Sequence, residues 1–163
     1  MKPLLVTDSE RRRMSNPRKI YPVDPGLIPI FDRSGHMQPS KALETVVCIE
    51  LLRRGAEIGY VRTREGFEVD FLARWPGGDE ELIQVCAEAQ DAATLEREVR
   101  ALQSAAEEHP GAALSLVTLA SESMREVPET LRVFDASFWL LRQTPNAGGP
   151  RQGSAGPPDG AAR

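Results

Sequence analysis

An α/β fold, a mixed sheet with helices on both of its faces, follows from three features of the chain. The stretch KALETVVCIELLRRG (41–55) is apolar around most of a helical circumference, which suits a helix packed broadly on a sheet. The runs FEVDFLARW (67–75) and ELIQVCAE (81–88) flank the turn Pro76-Gly77-Gly78-Asp79 and read as an antiparallel hairpin. A second helical stretch after Asp91 then leads into ALSLVTLA (113–120), a strand of the fully buried type.

Taken in order, residues 1–18 are polar and aperiodic and read as a flexible basic leader. Lys19 to Leu27, KIYPVDPGL, is apolar but broken by Pro22 and Pro25, with Gly26 permitting a turn, so a brief edge strand or extended segment is expected. Residues 32–40 form a loop, with Ser40 as N-cap of the first long helix and Gly55 as its terminator. Arg53 and Arg54 fall in the last turn, at the negative end of the helix dipole. Two acids interrupt this helix, Glu44 and Glu50; at ~100° per residue they lie roughly 120° apart and need not share a site.

A short strand, EIGYVR (57–62), precedes the turn Arg64-Glu65-Gly66. Alternation in the next strand puts Phe67, Val69, Phe71 and Ala73 on one face, with Glu68, Asp70, Leu72 and Arg74 on the other. In the third strand Leu82, Gln84, Cys86 and Glu88 share a face, opposite Ile83, Val85 and Ala87. Asp91 caps a helix running to about Glu108, whose apolar stripe is Leu95, Val99, Leu102 and Ala106, and His109-Pro110-Gly111 ends it. Leu131 to Phe134 is a further short strand, and Ala136 to Arg142 a terminal helix carrying Trp139. From Thr144 the composition is Gly, Pro, Ala and Ser, that of a disordered tail. The expected organisation is leader 1–18, folded domain 19–142, and tail 143–163.

Composition narrows the function classes. With 163 residues, 40% of them hydrophobic, the chain can build one real core, and no window is apolar enough to span a bilayer. Cys48 and Cys86 sit inside apolar runs and the first residues carry no signal-peptide pattern, so a cytoplasmic chain with free thiols is expected. His36 and His109 are isolated, and a structural zinc site is not expected. The bases are 17 Arg and 3 Lys; residues 1–33 carry seven bases against four acids, and residues 77–108 nine acids against two bases. A basic arm beside an acidic flank could steer toward nucleic acid, although a formal charge of −4 does not suit a dedicated binder. Solvated faces explain the same charges more simply.

One constellation carries chemistry. A helix glutamate precedes a strand with Val69-Asp70-Phe71, and the following strand carries Gln84-Val85-Cys86. This layout is similar to that of the restriction-endonuclease-like (PD-(D/E)XK) fold, with its pattern Glu…Asp…(Asp/Glu)-x-Lys. There, carboxylates on adjacent strands hold Mg²⁺ against a phosphate, and a lysine two residues along orients the attacking water. Mapped here, Asp70 takes the first carboxylate position, Gln84 the second and Cys86 that of the lysine. Glu44, or less readily Glu50, is the helix acid. Glutamine is a weak ligand for a hard cation and a cysteine is mostly neutral, so the positions are degenerate, with Asp70 and Glu44 left as metal ligands.

Over residues 19–142 the chain also resembles the domain of unknown function at the C-terminus of a prokaryotic family of AAA-type P-loop ATPases. The stretches that carry the resemblance are Lys19-Ile20-Tyr21-Pro22-Val23-Asp24-Pro25-Gly26-Leu27, Leu43-Glu44-Thr45-Val46-Val47-Cys48-Ile49-Glu50-Leu51 and Gly66-Phe67-Glu68-Val69-Asp70-Phe71-Leu72. Thr45 departs from the family's Leu-Glu-Asn, and Gln84-Val85-Cys86 from its Glu-Val-Lys. The chain has no Walker motif, as a detached or truncated module would not. The resemblance implies a restriction-endonuclease-like fold appended to an ATPase; DNA or a protein is the expected partner, and the lack of a long apolar window gives no expectation of a membrane role.

The expected function is therefore a non-catalytic module without a cofactor. Two alternatives stand beside it. One is an active Mg²⁺-dependent nuclease in which Arg62 or Arg74 replaces the lysine; the other is a pure protein-interaction scaffold. The plainer reading of the same residues has Asp70 satisfied by backbone amides or Arg62 or Arg74. In that reading Glu44 and Glu50 pair with Lys41, Arg53 or Arg54, and Gln84 and Cys86 belong to an ordinary strand face.

Overall fold

The computed structural model describes residues 4–5, 19–31, 38–88, 91–119 and 127–142. Six strands lie in chain order across one sheet: β1 (Leu4–Leu5), β2 (Glu57–Arg62), β3 (Glu68–Arg74), β4 (Glu80–Cys86), β5 (Ala113–Thr118) and β6 (Leu131–Asp135). β2, β3 and β4 form an antiparallel meander, while β1 joins β2, and β5 and β6 extend from β4, in parallel. The helices are α1 (Ile28–Phe31), α2 (Pro39–Arg53), α3 (Ala92–Glu108) and α4 (Ala136–Leu141).

The sheet is covered on both sides. Leu43, Val47, Cys48 and Leu51 of α2 and Trp139 of α4 pack with Phe71, Ala73, Ile83 and Val85. Ala101, Leu102 and Ala105 of α3 pack with Val69, Leu72, Leu82 and Leu116 on the other face. Strand alternation makes both cores possible, since neighbours along β4 serve opposite faces: Ile83 and Val85 one, Leu82 and Cys86 the other. Each fully buried aliphatic or aromatic side chain contributes about 1.5–3 kcal/mol of transfer free energy. Cys48 and Cys86 are buried and free, one in each core.

Several elements form as expected. α2 ends in a Schellman arrangement, with Ala56 N–H donating to Leu51 O, Gly55 N–H to Leu52 O, and Gly55 at φ +80°. Asp91 caps α3, its Oδ2 accepting from Thr94 N–H at 2.8 Å. The hairpin between β3 and β4 closes through Gly78 at φ +90°.

Four expectations need correction. Leu4 and Leu5, placed in a loose leader, instead pair with Gly59 and Tyr60 as the outermost strand; the free edge of β2 offers hydrogen bonds that local sequence does not advertise. The N-cap of α2 is Gln38 rather than Ser40, because Pro39 occupies the first helical turn, where its fixed φ fits and its missing N–H is not needed. Residues 19–27 form no edge strand: Asp24 Oδ1 accepts from Gly26 N–H at 2.7 Å and the chain turns through a 3-10 helix, Pro25–Leu27, into α1. The regular alternation assigned to β3 breaks at Asp70, for a reason given below. Residues 6–18, the loop residues 32–37 with His36, and the tail from 143 onward lie outside the described residues. Among the described residues no helix is long and apolar enough to cross a membrane.

Candidate functional site

Asp70 occupies a β-bulge. The pairing of β2 with β3 runs Gly59↔Leu72 but Val61↔Val69, so Asp70 and Phe71 together oppose Tyr60. The extra residue resets the alternation: Val69 and Leu72 share the α3 face, while Phe71 and Ala73 share the α2 face. A bulge bends a strand and re-aims its side chains, and here it sets Asp70 beside Phe71 on the side of α2. The recorded pairing of β3 with β4 runs from Arg74↔Glu80 to Phe71↔Ile83. At Asp70 side chains take over from the ladder. Asp70 N–H donates to Gln84 Oε1 at 3.2 Å, and Val85 N–H donates to Asp70 Oδ2 at 3.0 Å.

The second oxygen of Asp70 meets a residue that the motif pattern did not include. Lys19 Nζ donates to Asp70 Oδ1 at 2.7 Å and to Glu44 Oε1 at 3.1 Å, and lies 2.9 Å from Glu68 Oε1. Two residues on, the Tyr21 hydroxyl donates to Glu44 Oε1, and its ring packs on Phe71 with centroids 5.6 Å apart. Lys19 and Tyr21, two residues apart, therefore reach the same cluster. One ammonium thus serves three carboxylates drawn from α2 and β3.

The electrostatics follow from that geometry. Burial alone would lower the Lys19 pKa, but the charges of Asp70 and Glu44 outweigh it and hold the ammonium above the usual lysine range. Burial, reinforced by the charge of Glu44 and opposed by Lys19, raises the Asp70 carboxyl to about 7. Tyr21 is pushed up by burial and then by Glu44, which keeps its proton on the hydroxyl for Glu44 to accept. Burial also raises both thiols, Cys48 to about 12, with Glu98 adding to the effect at Cys86. Cys86 is therefore a neutral thiol at physiological pH and supplies no cation.

Two cavities meet at this cluster. One of about 740 Å³ is lined by Lys19, Tyr21, Lys41, Glu44, Glu68 and Asp70, with Ile20, Pro22 and Ile28 as apolar wall. Another of about 340 Å³ is lined by Gln84, Cys86, Glu88, Asp91, Arg97 and Glu98, and again by Glu44 and Asp70. Glu44, Asp70, Gln84 and Cys86 are therefore brought to one cleft. Glu50 is not: it is clamped by Arg53 Nε at 2.6 Å and Arg54 Nε at 2.7 Å, as the plainer reading has it. Arg74 pairs with Glu80 at 2.6 Å and Arg62 is exposed on β2, so neither satisfies Asp70 nor replaces the missing lysine. Glu44 likewise turns to Lys19 and Tyr21 rather than to an arginine.

Sequence reasoning missed Lys19, Tyr21, Glu68 and Glu98. Lys19 and Tyr21 enter the sequence reading only through the stretch that carries the family resemblance and, for Lys19, among the bases of residues 1–33; their signal is the Lys-x-Tyr spacing. Glu98 stands three residues after Leu95 and four before Leu102, on the inward stripe of α3, and is only 8% exposed. A carboxylate at such a position needs a partner, and Gln84 Nε2 donates to its Oε2 at 2.6 Å.

The arrangement does not fit Mg²⁺ as it stands. Glu44 and Asp70 are bridged by an ammonium, Gln84 is turned to the Asp70 N–H and to Glu98, and among the described residues no three His, Cys, Asp or Glu side chains are disposed around a metal position. No family model matches the chain, and neither a curated protein nor a solved structure does.

Proposed function

We propose that the chain is a non-catalytic module of the restriction-endonuclease-like class, akin to the C-terminal domain of AAA-type ATPases, whose cleft engages a macromolecular partner rather than cutting a phosphodiester. The observation that carries this reading is the Lys19 ammonium between Asp70 and Glu44, at 2.7 and 3.1 Å. Magnesium requires near-octahedral oxygens at about 2.0–2.1 Å and would have to displace that ammonium. Amide and thiol at Gln84 and Cys86 offer the ion nothing in return. The convergence of Lys19, Tyr21, Glu44, Glu68 and Asp70 on one cavity also gives the three stretches behind the family resemblance a common physical purpose.

Charge favours a protein partner over DNA inside the cleft. Six carboxylates line the two cavities (Glu44, Glu68, Asp70, Glu88, Asp91 and Glu98) against Lys19, Lys41 and Arg97. Phosphates are repelled by such a surface, whereas lysine or arginine side chains of a partner protein are attracted. Lys19 also supports a second reading, a Mg²⁺-dependent nuclease, because it places a cation beside Asp70 that Cys86 cannot supply.

The test is direct. Purified chain is incubated with plasmid and branched DNA in Mg²⁺, and DNA binding is titrated across salt. No cleavage is expected. Robust cleavage that Asp70→Ala abolishes would overturn the proposal in favour of the nuclease. A steep salt slope would assign DNA as a partner through phosphate contacts, and absent DNA binding would leave the protein partner.

A further inference from the structure

We propose that Glu98 is a positioning residue of the cleft, whose carboxylate acts through the side-chain amide of Gln84 to hold the bulged backbone at Asp70. The inference rests on this cleft being the functional one. Gln84 is 6% and Glu98 8% exposed, so their hydrogen bond is shielded from water. Gln84 Nε2 donates to Glu98 Oε2 at 2.6 Å, while Gln84 Oε1 accepts from the Asp70 N–H at 3.2 Å. The other Glu98 oxygen accepts from Arg97 Nη2 at 2.6 Å. One amide thus spans the distance from α3 to the bulge.

The chemistry of the two ends dictates the residue. A side chain at 84 must donate toward Glu98 and accept from Asp70, which an amide does and an ionised carboxylate does not. A carboxylate there would face Glu98 across 2.6 Å with no proton between them. Glutamine at this position therefore has a local cause: the fixed anion of this wall stands on the helix rather than on the strand.

The pair should then be exchangeable. Combining Gln84→Glu with Glu98→Gln keeps one donor and one acceptor across the gap, keeps an acceptor for the Asp70 N–H and leaves an acceptor for Arg97. Only the charge moves, from α3 to β4, next to Asp70. Asp70 also faces Lys19 and Tyr21 from the N-terminal segment, Glu44 from α2 and Glu68 on its own strand, and none of these is changed by the exchange.

The experiment uses the full chain in four forms: wild type, Gln84→Glu, Glu98→Gln and the exchanged double variant. Melting is followed from pH 5 to 8, and the Asp70 side-chain carboxyl is titrated by carbon-detected NMR. Gln84→Glu is expected to lower the melting temperature by roughly 5 °C or more at neutral pH, and to recover on acidification as one proton is shared between the facing carboxylates. Glu98→Gln can keep the relay bond only by turning its NH₂ toward the solvent-exposed Arg97, so its melting temperature falls, but by less than that of Gln84→Glu. The exchanged variant regains most of the loss, and its Asp70 titrates about one unit or more higher because a carboxylate now adjoins it. A double variant no more stable than Gln84→Glu, or an Asp70 that titrates alike in all four, would overturn the proposal. Neither readout involves a partner or cleavage, so failure of the binding reading leaves this test standing.

Discussion

Lys19 Nζ and Asp70 Oδ1 meet at 2.7 Å across 51 residues of sequence. The contact ties the N-terminal segment to the bulge of β3 and supplies a cation to a carboxylate that has little other access to one. With side-chain exposures of 19% and 15%, the pair is largely desolvated and of the kind whose disruption leaves a charge stranded.

Lys19→Ala should accordingly destabilise the domain by about 2–3 kcal/mol, because Asp70 and Glu44 would remain half-buried without their cation. Glu68, 46% exposed, adds little to this figure because solvent already screens it. Urea denaturation measures the difference. A loss within a few tenths of a kcal/mol would show that the cluster does not hold the segment.

The same cluster predicts a pH dependence whose sign follows from Asp70. Its folded pKa, about 7, lies above the ordinary carboxyl value, so the folded state binds a proton that the unfolded state has released. The stability contributed by this group is complete below about pH 4 and is lost as pH rises through 7. Stability curves between pH 4 and 8 should lose this component in Asp70→Asn. An unchanged slope would mean that another group carries it.

Tyr21 separates hydrogen bonding from packing. Tyr21→Phe keeps the ring against Phe71 but removes the hydroxyl that serves Glu44, and about 1–1.5 kcal/mol should be lost. Tyr21→Ala removes a ring that is only 6% exposed and should cost about 3–4 kcal/mol. Equal losses in the two variants would assign the whole effect to the hydroxyl.

Trp139 closes the α2 face of the core. It is fully buried, and the Arg54 guanidinium stacks over its ring at 4.4 Å while Arg54 Nη2 donates to Trp139 O at 2.7 Å. Trp139→Ala should destabilise by about 3–5 kcal/mol. Trp139→Phe should lose less, since it retains a ring for Arg54. Thermal melts of the two variants test this order.

Much of the architecture was legible because it depends on local periodicity. The Gly77-Gly78 turn, the Asp91 cap, Gly55 and the alternation along β4 each act within a few residues, so the hairpin, both long helices and the two-faced sheet could be read from them. The clustering of Glu44 with Asp70 was legible as a motif. Its cation was not, because Lys19 lies in a proline-broken segment with no regular period. Nor was the bulge, since an inserted residue becomes visible only against the partner strand: Val69 and Phe71 look alike in FEVDFLARW and serve opposite cores.

Sequence by itself determined the two long helices, the strands from β2 to β6 and the alternation along β4, and it offered Asp70 and Glu44, with Glu50 in reserve, as the acids to watch. Tertiary structure alone decided what those acids touch. An ammonium from the chain's own N-terminal segment binds the Asp70 side chain, and the Gln84 amide joins a carboxylate from α3 to the Asp70 backbone. The physical reason is range: periodicity is set by neighbours a few residues away, whereas charge pairing in a cleft is set by whichever group folding brings near, here from 51 residues distant.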